Sequence, residues 1–181
     1  MAGGALLKYA RDALFSKTSS DRELVKLARK ACVRRIVEVG IESPERTVRL
    51  LSELARRDEG VTYSGFDAFE QREAGEEPLS LLATHRLLAG LGAKVRLTPG
   101  EPEATMAAMA NHLPDSDLIL LPRDMDSRSA TGVWFYLPRM SHPGTLVLSC
   151  ESDPKGADTL RVWPMADVKD RSLAASPAAA A

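Results

Sequence analysis

The run Leu118-Ile119-Leu120-Leu121 constrains this chain more than any other segment. It is apolar at every position, so both faces of a strand built from it must be covered. It stops at Pro122, too soon for a helix. Strands buried on both faces belong to parallel sheets with helices packed on either side. The run Arg35-Ile36-Val37-Glu38-Val39-Gly40, mostly apolar with Glu38 inside it, reads as another short buried strand and ends on glycine.

The rest of the chain keeps this alternation. Ser43 as N-cap and Pro44 at the first helical position open a helix with an apolar face of Val48, Leu51, Leu54 and Ala55, stopped by Gly60. Val61 to Phe66 reads as a second strand, and residues 67–77 as a charged loop. Pro78 leads a helix that ends at the Gly90/Gly92 pair. Lys94 to Leu97 is the third strand, and Pro99-Gly100 turns into a helix over Ala104 to Ala110. Asp117 to Leu121 is the fourth strand. Thr131 to Met140 reads as a helix interrupted by Pro138. Gly144 to Ser149 is the fifth strand, and Thr159 to Trp163 is a candidate sixth.

Two helices are expected ahead of this core. Ala5 to Phe15 is one; Asp21 to Ala31 is the other, with Ser20 and Glu23 as a capping box. The expected organisation is therefore a helical extension over 1–33, an α/β domain over 34–165 and a disordered tail over 166–181. The fold class is a doubly wound, mostly parallel α/β sheet, shortened at its C-terminus.

Composition narrows the function. Twenty-four Lys and Arg balance 25 Asp and Glu, for a net charge of -1, so a surface organised around nucleic acid is not expected. No uncharged stretch approaches the ~20 residues of a membrane-spanning helix, so no membrane partner is expected. Met1 to Leu7 is too briefly apolar for a secretory leader. Two widely separated cysteines, Cys32 and Cys150, give no disulfide framework. A cytoplasmic protein is the expectation. Gly-x-Ser-x-Gly, the phosphate-binding Gly-x-x-x-x-Gly-Lys-Ser/Thr loop and the three-glycine nicotinamide fingerprint are all missing from the sequence. His85, His112 and His142 do not pair at helical spacing.

In doubly wound sheets ligands sit beyond the carboxyl ends of the strands, where strand order reverses. Those ends carry Gly40 after Glu38, Asp67, Gly100-Glu101, and Arg123-Asp124 with Asp126. His142-Pro143-Gly144 precedes the fifth strand. Ile36-Val37-Glu38-Val39-Gly40, Gly65-Phe66-Asp67-Ala68-Phe69-Glu70 and His142 to Leu148 resemble motifs of the class I S-adenosylmethionine-dependent methyltransferases, and the combination of Gly65 to Glu70 with Trp134 to Leu148 is most similar to the macrocin O-methyltransferase group. The first motif is degenerate, because Ile41-Glu42-Ser43-Pro44 follows Gly40 where the family has further glycines.

The resemblance implies a cofactor, S-adenosylmethionine, and a small-molecule acceptor. It places Glu38, Gly40, Asp67, Gly100 and Glu101 at the cofactor, with Asp67 accepting hydroxyl hydrogen bonds from the ribose. Asp124 would assist deprotonation of the acceptor. Ser149-Cys150 stand where the macrocin-like group has an acidic metal-holding pair, so no metal is expected. Residue chemistry alone leaves other roles open. Gly40 can serve a tight turn, Glu38 can be a buried acid paired with Arg34 or Arg35, Asp67 can cap its loop, and Glu101 can favour a helix N-terminus. Asp124 can be a solvated loop acid. An inactive binding module on the same fold is the alternative function. Trp134-Phe135-Tyr136 cannot all face inward; two are expected in the core. Oligomeric state is not legible.

Overall fold

The computed structural model describes residues 19–57, 60–73, 77–123, 125, 131–152 and 158–175. The described elements, in chain order, begin with α1 (Ser19–Lys30), β1 (Arg35–Val39), α2 (Pro44–Ala55), β2 (Thr62–Asp67), α3 (Leu81–Ala89) and β3 (Lys94–Pro99). They continue with α4 (Pro102–Met109), β4 (Ser116–Leu121), α5 (Thr131–Met140), β5 (Ser141–Ser152), β6 (Asp158–Trp163) and α6 (Met165–Ala174). The six strands form one sheet of order β3-β2-β1-β4-β5-β6. All neighbours are parallel except β6, which runs antiparallel to β5.

Alternation along the strands divides the core. Ile36, Tyr63, Leu118 and Leu120 face a layer containing Leu24 and Ala28 of α1, Leu50 and Leu51 of α2, and Leu88 of α3. Val37, Val39, Ile119 and Leu121 face the opposite layer, with Met106 of α4, Trp134 and Leu137 of α5, and Val168 of α6. This is why β1 and β4 are apolar at consecutive positions. The doubly wound arrangement expected from sequence is the one observed.

Local signals set several boundaries. Ser43 Oγ accepts from the Arg46 amide, and Pro44 follows as the first residue of α2. Gly40 ends β1 at φ +74°. Other expectations need correction. Helix α1 already includes Ser19, so Ser20 lies in its first turn and is buried. Pro138 does not interrupt α5, which runs through it to Met140; it sits in the last turn and forgoes its own amide donor there. His142-Pro143-Gly144 lies inside β5. It forms part of an irregularity in which Ser116 pairs Ser141 while Leu118 pairs Leu146. Of the three consecutive aromatics only Trp134 is buried, and Phe135 and Tyr136 are half-buried.

The largest correction concerns the C-terminal segment. Residues 165–174 form a helix where a disordered tail was expected. Val168 is fully buried, and Arg171 stacks over Trp134 at 4.9 Å and Trp163 at 4.7 Å. Val168, the partly buried Met165 and the Arg171 guanidinium dock the helix while Leu173 is exposed, which leaves no regular hydrophobic period. The helix expected over Ala5 to Phe15 lies outside the described residues, as do residues 176–181.

Candidate functional site

Strand order reverses at β1, whose neighbours are β2 and β4. Beyond the carboxyl ends of these strands lies a cleft of about 550 Å³, lined among others by Gly40, Glu42, Asp67, Glu101, Pro122 and Arg123. Its position is the one that doubly wound sheets use for ligands. The Gly40 amide donates to the Phe66 carbonyl at 2.7 Å. A Cβ at Gly40 would find ordinary space, 3.5 Å from Pro122 Cβ. Its left-handed backbone is therefore what calls for glycine.

Asp67 is the most constrained acid of the cleft, 5% exposed. Its Oδ1 accepts from the Phe69 amide and from Arg72 Nε, both at 2.8 Å. Its Oδ2 accepts from the Ile41 amide at 2.8 Å and Arg72 Nη2 at 2.6 Å. Four donors occupy roughly the four acceptor positions of a carboxylate. Arg72 also donates to the Ile41 and Glu77 carbonyls, at 2.7 and 2.9 Å. It thereby ties the loop after β2 to the turn after β1. Sequence reasoning missed Arg72, because a basic residue in a charged loop carries no motif.

Glu42 borders the cleft and is held to the end of β4. Its carboxylate accepts from the Arg123 amide at 2.7 Å and from Arg123 Nε at 3.3 Å. Arg123 reaches onward to both oxygens of Asp158, at 2.9 and 3.3 Å. With Glu73, Glu77 and Arg72 also on the lining, carboxylates outnumber guanidiniums.

Glu38 does not line the cleft. It points into the α1–α3 layer, 1% exposed. Its Oε2 accepts from Thr47 Oγ1 and Tyr63 OH, each at 2.7 Å. Its cation is Arg46 of α2, at 3.7 Å, and not Arg34 or Arg35. Burial raises the Glu38 carboxyl above the usual value, against the pull of Arg46 and the two hydroxyl bonds. Burial likewise raises the Cys150 thiol, which accepts from Arg46 Nη1 at 2.6 Å.

Gly100, at φ +137°, donates its amide to the Asp67 carbonyl at 3.0 Å, which fixes the turn carrying Glu101. Glu101 is exposed on the cleft at the N-cap of α4 and makes no side-chain capping bond. Asp124 and Asp126 lie outside the described residues. Among the described residues no three His, Cys, Asp or Glu side chains are grouped to hold a metal ion. The site thus unites Gly40, Asp67 and Glu101, leaves Glu38 beneath the sheet, and adds Glu42, Arg72 and Arg123.

No protein-family model matches the chain, and no curated protein matches it significantly. Solved structures do resemble it. An O-methyltransferase from Bacillus cereus in complex with SAH superposes with a TM-score of 0.57 at 18% identity, over 86% of this chain and 68% of that one. An O-methyltransferase of tomaymycin synthesis from Streptomyces achromogenes, in complex with SAM, gives 0.55 at 17% identity, over 92% and 74%. A protein from Staphylococcus aureus described as a caffeoyl-CoA O-methyltransferase gives 0.56 at 13% identity; this chain spans 64% of its length. The chain therefore has the Rossmann-like fold of these methyltransferases.

Proposed function

We propose that the chain is an S-adenosylmethionine-dependent methyltransferase acting on a small-molecule acceptor. The observation that carries this reading is the meeting of Gly40, Asp67 and Glu101 in one cleft at the strand-order reversal. Asp67 would hold the ribose hydroxyls and Glu101 would lie toward the adenine. Gly40 would let backbone approach the methionine end. The excess of carboxylates on the lining suits a sulfonium cation. These residues fit the cofactor with one exchange: the ribose must replace Arg72 on Asp67, whose acceptor positions are filled. When bound, the cofactor supplies an electrophilic methyl group. The proton lost by an acceptor hydroxyl would pass to Asp124.

A second reading, a methyltransferase-like binding module without turnover, is favoured by one observation. Glu42 stands on the cleft and is locked to Arg123, which narrows the approach beside Gly40. Incubation with methyl-labelled S-adenosylmethionine and a panel of hydroxylated small molecules separates the two. Labelled product that Asp67→Ala abolishes supports the enzyme. Cofactor binding without product supports the module, and absence of both overturns the assignment.

A further inference from the structure

A second cavity, of about 480 Å³, opens at the opposite end of the sheet. It lies over the amino-terminal halves of β1, β2 and β3. Parallel register places Arg35 beside Thr62 and Thr62 beside Lys94, then Val37 beside Ser64 and Ser64 beside Arg96. Register partners in neighbouring strands share a face, and so do residues two apart within a strand. Arg35, Thr62, Ser64, Lys94 and Arg96 therefore project from one face, the face that carries Val37. Helix α4 covers it only briefly. The helix has 8 residues, and the 3-10 turn ending at His112 forms a wall of the cavity.

The lining contains three basic side chains, Arg35, Lys94 and Arg96, together with His112 and the hydroxyls of Thr62 and Ser64. Among the described residues it contains no aspartate or glutamate. Arg35 has an ion pair with Asp115 at 3.8 Å. Among the described residues the Lys94 and Arg96 side chains have no acidic partner. Like charges at adjacent same-face positions of a strand repel. In a chain of net charge -1, such a concentration facing a concavity is a feature for an anion to satisfy.

We propose that this cavity binds a small phosphate monoester, with the phosphate on Lys94, Arg96 and the Thr62 and Ser64 hydroxyls. A guanidinium presents paired donors that match phosphate oxygens, an ammonium adds a point charge, and hydroxyls donate to the remaining oxygens. The volume lies in the range of ~300–1,000 Å³ typical of organic-ligand pockets, so the ester carries an organic body over Val37 and Leu113. The site is separate from the strand-end cleft and stands whether or not that cleft takes S-adenosylmethionine.

The test is calorimetric titration of the full chain with phenyl phosphate and, separately, inorganic phosphate, at ionic strength held constant with sodium chloride. Saturable phenyl phosphate binding is expected, and inorganic phosphate should bind more weakly. The exposed double variant Lys94→Ala/Arg96→Ala should weaken phenyl phosphate by about tenfold or more, the loss of one or two charge-assisted hydrogen bonds. Glu101→Ala, in the other cleft, should leave it unchanged. Three results overturn the proposal: no saturable heat with phenyl phosphate, equal binding by the double variant, or inorganic phosphate binding as tightly as the ester.

Discussion

Arg72 grips Asp67 with two guanidinium nitrogens, Nε at 2.8 Å from Oδ1 and Nη2 at 2.6 Å from Oδ2. The acid assigned to a ribose is thus already paired. On the proposed reading a diol would bind there only by displacing the guanidinium, so Arg72 would work against the ligand while it holds the loop after β2. Arg72→Ala should raise affinity for S-adenosylhomocysteine by about tenfold, equivalent to ~1.4 kcal/mol. Calorimetric titration of both proteins checks this. Weaker binding by the variant would mean that Arg72 supports the site.

Glu38 supplies a pH test inside the core. Its carboxyl is raised by burial, so its contribution to stability is complete below the ordinary glutamate value of ~4.3. That contribution is lost as pH rises through the raised value. Glu38→Gln removes this titration and keeps an acceptor for Thr47 and Tyr63. Urea midpoints measured from pH 4 to 8 should show the variant gaining stability relative to the parent as pH rises. A constant difference would show that Glu38 titrates normally.

Asp117 has the opposite sign. Burial pushes its carboxyl upward, but the amides of Arg35 and Arg34 and the His142 ring outweigh this, and its value is lowered. Its contribution is present above the ordinary aspartate value of ~3.9 and is lost as pH falls through the lowered one. Asp117→Asn should therefore cost stability at pH 7, with the difference shrinking on acidification. Thermal unfolding across pH 2 to 7 reads this directly.

The docking of α6 rests on Val168, 0% exposed beside the Trp134–Trp163 pair. Val168→Ala removes two carbons from a filled site, at ~0.8 kcal/mol each plus a cavity contribution, or about 2 kcal/mol in all. The urea midpoint should fall with an unchanged slope. A change below about 0.5 kcal/mol, the level of ordinary surface substitutions, would show that the helix does not pack there.

These tests also mark where the sequence was informative. The sheet was legible because Leu118 to Leu121 and Ile36 to Val39 must be covered on both faces, which leaves few architectures. The place of Gly40 and Asp67 on the strand-end cleft was legible because both directly follow or end a strand. The partner of Glu38 was not. Arg34 and Arg35 are near in sequence, but Arg46 reaches it from α2, and only packing of helix on sheet reveals that contact. Arg72 was hidden for the same reason: its meaning lies in the fold that turns residues 67–72 back on themselves. Helix α6 was hidden because Val168, Met165 and an arginine stacked on two tryptophans leave no regular period to read.

Calorimetric titration of the wild-type chain with S-adenosylhomocysteine, alongside Asp67→Ala, bears most directly on the assigned cleft. The expected result is saturable micromolar binding with a ligand-dependent rise in melting temperature, since a ligand of the folded state must stabilise it. Both should disappear in the variant while it remains folded by circular dichroism. No heat and no thermal shift at saturating ligand would contradict the account, as would equal binding by the folded variant.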